Sequence, residues 1–407
     1  MSAPPMTPEL MRETLAVLEA HGGNQNAAAQ SLGISRSTFQ SRVYRAQNFT
    51  TAPPAAAPEM SGRERFDAAF WRKKAADTQK AADEAEHIAE QLAGVRNIEW
   101  TIPDWTMDAG EGDKGRSVIG CLVSDMHMGE VISAEEINGV NAFDPDICRA
   151  RMQRYFEAAC VVGKRWAADT HCEGALLALG GDMVSGSIHD ELAQTNALTS
   201  PEQVIAAAET IAAGIIKLRL AYNRVHVVSV PGNHGRTTHK PTAKLYSRLS
   251  YDTMIAAMLA ERFRGDKNIT FQYGPAKDQL VPVFGRTVFL SHGDKLGSRG
   301  GMGFAGPMLP IVRGTKKVEA QQARLGRRPD LILHGHFHTS GNAGAVLSNG
   351  AVPGYGEYAD DIRADPEPAQ QWLFLLHSKW WLRERATILL EEPRPVEKPR
   401  VRVPAWS

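Results

Sequence analysis

Five short apolar runs, each stopping at a cluster of aspartate, asparagine or histidine, constrain this chain more than any other feature. The run 117–124 leads into Asp125 and His127 in SDMH, and 175–179 into Asp182 in GGD. The run 225–230 leads into Asn233 and His234 in PGNH, 287–290 into His292 in SHGD, and 331–333 into His336 and His338 in HGHFH. Apolar runs of this length read as buried strands. An α/β sheet presents its binding loops at strand ends, so the fold has to bring these ends together. Helical periods lie between the runs. The clearest has Ser200 and Gln203 as a capping box around Pro201, with Val204, Ala208, Ile211, Ile215 and Leu218 in one stripe.

The clustered side chains are metal ligands by type. Hard oxygen and imidazole donors gathered at one point indicate a two-metal site, whose commonest chemistry is phosphate-ester hydrolysis. Asp125 and His127 are two apart and would point the same way on an extended segment. Asp182 has two carboxylate oxygens and can bridge two cations. Asn233 offers a neutral carbonyl oxygen, and His292, His336 and His338 offer ring nitrogens. Two divalent ions bring four positive charges, which two carboxylates only half neutralise; the remainder suits a phosphate. His234 is not needed as a ligand and is the natural proton donor to a leaving alkoxide.

In this order, SDMH, GGD, GNH, SHGD and HGHFH resemble the five motifs of the calcineurin-like metallophosphoesterases, over roughly residues 117–392. The resemblance implies an α/β sandwich of two mixed sheets flanked by helices. It also implies a first metal on Asp125, His127, Asp182 and His338 and a second on Asp182, Asn233, His292 and His336, with His234 as acid. Manganese is the metal it suggests; zinc, iron or magnesium fit the same donors. Hydrolysis would proceed through a metal-bridging hydroxide. Two departures stand out. Gly235 follows His234 where relatives often carry an acidic residue. MVSG follows Asp182, without the Asp and Arg of protein Ser/Thr phosphatases, which argues against that subfamily.

The N-terminal part has another character. In 1–47, Met11, Leu15 and Leu18 repeat at helical spacing, Asn24 can cap a helix carrying Ala28, Ala29 and Leu32, Gly33 gives a turn, and Ser35 can cap a helix with Phe39 and Val43 inward. AAAQSLGISRSTFQSRV resembles a Fis-type helix-turn-helix, which would expose Arg36, Ser37, Gln40 and Arg42 to a DNA groove; a three-helix protein-interaction module is the competing reading. A Pro/Ala-rich linker at 48–60 and a long charged helix at 61–97 follow; the stretch 61–94 could join two copies as a homodimer. The tail 393–407 reads as peripheral.

Bulk composition excludes more than it assigns. The 407 residues suffice for two or three domains, and 46 basic residues balance 46 acidic ones, so net charge points to no polyanionic partner. Local charge does. Between Gly293 and Pro329, Lys295, Arg299, Arg313, Lys316, Lys317, Arg324, Arg327 and Arg328 face only Asp294 and Glu319. Arg236, Lys240, Lys244 and Arg248 recur after His234 with no acid between them. Such runs beside ligands would track a nucleic-acid backbone. The loop 297–306 lacks the P-loop lysine and reads as a lid. Trp372, Trp380 and Trp381 read as sandwich core. His171, His226, His334 and His377 read as packed or surface residues, and His189 as an ordinary loop histidine that could also line a cleft. Cys121, Cys148, Cys160 and Cys172 form no CxxC pair and suit a reducing compartment. No signal peptide or membrane-spanning run is present, so a cytoplasmic protein is expected. The function expected is a two-metal phosphodiesterase acting on DNA, of phage, prophage or repair-exonuclease type. The alternatives are a phosphatase or small-molecule phosphodiesterase with the N-terminal module as a targeting device, or a DNA-binding scaffold with a vestigial hydrolase domain.

Overall fold

A computed structural model of the chain describes residues 7–47, 72, 76, 79, 102–107, 114–296 and 308–392. The linker 48–60, nearly all of the helix expected at 61–97, the loop 297–306 with Arg299, and the tail 393–407 lie outside the described residues, although Arg72, Ala76 and Gln79 are helical. The chain divides into two compact units, Met1–Ala76 and Asp77–Ser407.

The first unit holds α1 (Pro8–Ala20), α2 (Gln25–Ser31) and α3 (Arg36–Gln47). Each helix starts at a side-chain cap: Thr7 Oγ1 accepts from Leu10 N, Asn24 Oδ1 from Asn26 and Ala27 N, and Ser35 Oγ from Thr38 N. Gly33, at φ +65°, makes the α2–α3 turn, where a side chain would be strained. Ala28, Ala29, Phe39 and Val43 are buried together, with Val17, Leu18, Leu32 and Ile34 packed against them. The alanines admit α3 closely.

The second unit begins with α4 (Asp104–Met107) and β1 (Arg116–Val123), then α5 (Pro145–Trp166), β2 (His171–Leu179), α6 (Asp190–Thr195), α7 (Ser200–Tyr222) and β3 (Val225–Ser229). Next come α8 (Tyr251–Arg262), β4 (Ile269–Tyr273), β5 (Gln279–Val283), β6 (Arg286–Leu290), α9 (Met308–Arg324) and β7 (Leu331–His334). The chain continues through β8 (Gly341–Asn342), β9 (Val346–Ser348), α10 (Glu357–Asp361), β10 (Gln370–His377) and β11 (Trp381–Leu389). Two mixed sheets result, ordered β11-β10-β1-β2-β3-β4 and β5-β6-β7-β9-β8. β1 to β4 run parallel, as do β6, β7 and β9, while β10, β11, β5 and β8 pair antiparallel.

The alternation along β1 explains the layering. Val118 and Leu122 meet Val288, Leu290, Leu331 and Leu333 of the other sheet, whereas Ile119, Cys121 and Val123 face Tyr155 and Phe156 of α5 and Ile211 and Ile215 of α7. Val318 of α9 packs on Phe289, Ile332 and Val346, on the outer side of the second sheet. Both faces of the central strands are therefore covered, and this is why they read as continuous apolar runs. All five expected strands are present. The capping box of α7 lies one residue earlier than expected: Thr199 and Glu202 form it, because Gln203 is buried and binds Gly186 N and Leu198 O instead. Trp372 and Trp381 are core, but Trp380 is 73% exposed on the β10–β11 turn. The four cysteines are free thiols. Among the described residues no helix is long and apolar enough to cross a membrane.

Candidate metal centre

The ligand clusters follow β1, β2, β3, β6 and β7, all at C-terminal ends, three from one sheet and two from the other. The spacing of Asp125 and His127 suggested an extended segment; the structure instead has both in the left-handed region, at φ +50° and +47°. Asp182, His336 and His338 share that conformation, at +55°, +72° and +52°. An L-residue held there costs roughly 1–2 kcal/mol, so a surrounding network has to hold it. The left-handed residues thus lie in the loops after β1, β2 and β7, whereas Asn233, His234 and His292, after β3 and β6, are not in that region.

The network is visible atom by atom. Asp125 N donates to Gly181 O and His127 N to Asp182 O, tying the first two loops together. Asp125 accepts from His336 N at 3.0 Å (Oδ1) and 3.1 Å (Oδ2), and Ser124 Oγ donates to Oδ2. A Cβ on Gly335 would lie 2.1 Å from Asp125 Oδ2, and one on Gly232 2.1 Å from Asp182 Oδ1. These glycines are required by close approach. Behind the loop, Ser124 N and Asn349 Nδ2 both donate to Gln371 Oε1, and Asn349 Oδ1 accepts from Trp372 N.

Two ligand-type groups emerge. Asp125, His127 and His338 bring one donor atom each within 4.8 Å of one another, and Asp182, His292 and His336 do the same. His292 Nε2 lies 2.9 Å from Asp182 Oδ2 and 3.1 Å from Asn233 Oδ1, so Asn233 joins the second group. His234 lies between the groups: its ring centroid is 4.6 Å from that of His127, its backbone N–H donates to Asp182 Oδ1, and a ring nitrogen also groups with His127 and Asp182. All eight expected residues are thus brought together.

The donors fit a pair of divalent cations. Both ring nitrogens of the buried His127 lack a hydrogen bond of good geometry among the described residues, and Nδ1 lies 3.1 Å from Glu130 Oε2, within ion-pair range. His292 Nδ1 lies 2.8 Å from the Gly180 carbonyl, which leaves Nε2 facing two oxygens with at most one proton to share. A ring fixed through one nitrogen by a carboxylate or carbonyl, with the other nitrogen aimed at oxygen donors, is how proteins present imidazole to a metal. Charge agrees. Burial opposes ionisation of Asp182, yet the neighbouring His292 holds its carboxyl well below the usual range. Burial lowers His292 and His127, but Asp182 lifts the first to about 10 and Glu130 the second to about 9. The carboxylates attract positive charge to this point. His336 and His234 are pushed down to about 4 by burial and stay neutral.

Sequence reasoning missed several contributors. Glu130 orients His127, Ser124 and Gly335 hold Asp125, and Asp252 is a buried carboxylate accepting from the backbone of two ligand loops. Glu130, three residues after His127, carried a readable signal; Asp252 carried none. His189 is exposed with its ring 5.5 Å from that of His234, so it lines the rim of the centre. His226 and His334 are buried, the exposed His171 pairs with the buried Glu173, and His377 accepts from Lys379 and Trp380 N in the β10–β11 turn.

Of the basic candidates, Lys240, Lys244 and Lys317 are exposed, Arg236 is tied to Thr238 and His239 carbonyls, and Lys316 pairs with Glu319. The stretch 236–250 is irregular, so its four-residue spacing does not form a helical stripe. On α3, Arg36, Ser37 and Gln40 are exposed and Arg42 half-buried, with Tyr44 on the same outer face. No curated protein matches the chain. The family described as bacterial regulatory protein, Fis family, matches residues 15–43. Helices α1 to α3 thus carry a helix-turn-helix similar to that of the Fis family, with α3 as the second helix of the motif.

Proposed function

We propose that this chain is a two-metal phosphodiesterase of the calcineurin-like metallophosphoesterase type, and that its substrate is DNA. One observation carries the reading: two ligand groups, Asp125/His127/His338 and Asp182/His292/His336, converge from two sheets with His234 beside them. Asp125, His127, Asp182 and His338 would hold one divalent cation, and Asp182, Asn233, His292 and His336 the other. Manganese suits these donors, as do zinc, iron and magnesium. Such a pair of cations supplies positive charge to polarise phosphoryl oxygens and lowers the pKa of water toward neutrality.

The protein's own groups then have defined tasks. His234 Nδ1 lies 2.9 Å from the Ser185 carbonyl and donates to it, leaving Nε2 for proton transfer to a departing alkoxide. Burial keeps the free ring neutral; an entering phosphate anion acts in the opposite sense and draws a proton onto it. His189, at the rim, faces the same side. The helix-turn-helix and the exposed Lys240, Lys244, Arg248, Arg313 and Lys317 supply cationic contacts to a phosphate backbone.

The test is manganese-dependent cleavage of end-labelled single- and double-stranded DNA, with bis-p-nitrophenyl phosphate alongside and Asp182→Asn as the blank. Cleavage of DNA abolished by Asp182→Asn is the expected result. Turnover of the small diester with DNA left intact would reassign the chain to small-substrate phosphoesterases. No metal-dependent turnover of either would leave a DNA-binding protein with an inert domain.

A further inference from the structure

Asp252 occupies the first turn of α8, behind the cap Ser250. An acid there ordinarily faces water and complements the helix dipole. This one is 1% exposed and turns toward the ligand loops. Its Oδ2 accepts from Gly232 N at 2.7 Å and Asp182 N at 3.3 Å, and its Oδ1 from Met183 N at 2.9 Å. These donors lie in the loop that carries Asp182 and in the loop that carries Asn233 and His234. One carboxylate therefore fastens the two loops to each other.

Gly235 explains how the carboxylate gets there. A Cβ on Gly235 would lie 2.5 Å from Asp252 Oδ2 and 2.9 Å from its Cγ. The carboxyl group fills the space that a side chain at 235 would take. Gly235 is not among the positive-φ residues, so its backbone accepts an L-side chain and only volume excludes one. The glycine and the distant aspartate are complementary.

We propose that Asp252 is a positioning residue of the metal centre, delivering from α8 a carboxylate into the space beside Gly235 and thereby fixing the loop that carries Asp182 to the loop that carries Asn233 and His234. The inference rests on the metal-site reading above. It predicts that the carboxylate can be moved: the pair Gly235→Asp with Asp252→Ala restores the same group from the other side of the same space.

The experiment is calorimetric titration of the full-length, chelator-stripped chain with Mn2+, without substrate, and far-UV circular dichroism of each apo protein. Asp252→Asn should keep the apo spectrum and weaken Mn2+ binding roughly 10–100-fold, the usual loss when a group that orients ligands is removed. Gly235→Asp alone should weaken it too, by collision. The relocated pair should bind within about threefold of wild type, a recovery that a merely space-filling role for Asp252 would not give. Wild-type Mn2+ binding by Asp252→Asn overturns the inference, and so does a relocated pair that folds but binds no better than Asp252→Ala. If Asp252→Ala does not fold, Asp252→Asn is the reference for the pair. A wild-type chain that takes up no divalent ion defeats the metal-site reading itself, an outcome distinct from the others.

Discussion

At the residue scale, the site depends on which atoms are left without partners and which spaces are left without side chains. His127 Nε2 and the crowded His292 Nε2 mark where positive charge belongs. Gly335→Ala would drive a methyl group to within 2.1 Å of Asp125 Oδ2. The expected result is loss of one of two Mn2+ equivalents in calorimetry, with the β-rich spectrum kept; two equivalents at wild-type affinity would show that Asp125 tolerates displacement. His234→Ala should retain both ions and slow hydrolysis roughly 10²–10⁴-fold, the range for a lost general acid. The loss should be larger for an alkyl leaving group than for p-nitrophenolate, which departs without a proton; equal losses would place His234 in binding. The eight central residues were legible because each follows a strand end. Asp252 was not, because an acid in a first helical turn looks like a dipole complement, and only the fold reveals that it faces inward.

At the scale of elements, legibility followed burial. β1, β2, β3, β6 and β7 are covered on both faces or nearly so and stand out as apolar runs. β5, with alternate positions half-buried, and β11, WLRERATIL, with Arg383, Glu384 and Arg385 on a sheet edge, carry no such signal. The β3–β4 pair encloses a buried histidine. His226 is buried between Thr270 Oγ1, at 2.9 Å, and Gln272 Oε1, and burial lowers its pKa to about 4. The unfolded chain protonates this residue near pH 6.5. Between these values the unfolded state holds a proton that the folded state lacks, so the stability contributed here is intact above about pH 6.5 and is lost as pH falls toward 4. The full shift corresponds to roughly 3 kcal/mol. Urea midpoints of the metal-free protein should therefore fall less steeply from pH 7 to 4.5 in His226→Gln than in wild type; parallel slopes would place the sensitivity elsewhere.

At the scale of the whole molecule, the chain divides into two compact units. The helix-turn-helix was readable from Asn24, Gly33 and Ser35, whose capping and turn chemistry is local. The two-sheet arrangement was not readable from strand patterns: β10, far along the chain, inserts between β11 and β1 in the first sheet, and only the motif resemblance anticipated a sandwich. Deletion of residues 1–59 is expected to leave turnover of bis-p-nitrophenyl phosphate unchanged while weakening DNA binding, and to reduce its salt dependence. Unchanged DNA affinity at moderate salt would remove α3 from the DNA contact.

The order in which the ligands leave the ribosome follows from their division between the sheets. A nascent chain that has reached β5 has released Asp125, His127, Asp182 and Asn233 but none of His292, His336 and His338, and β1 still lacks its neighbour β10. Neither ligand group is complete until the second sheet has been synthesised and its edge has met the first. On the two-metal reading, ion uptake would therefore act as a checkpoint on synthesis, reached only by chains whose two sheets have closed on each other.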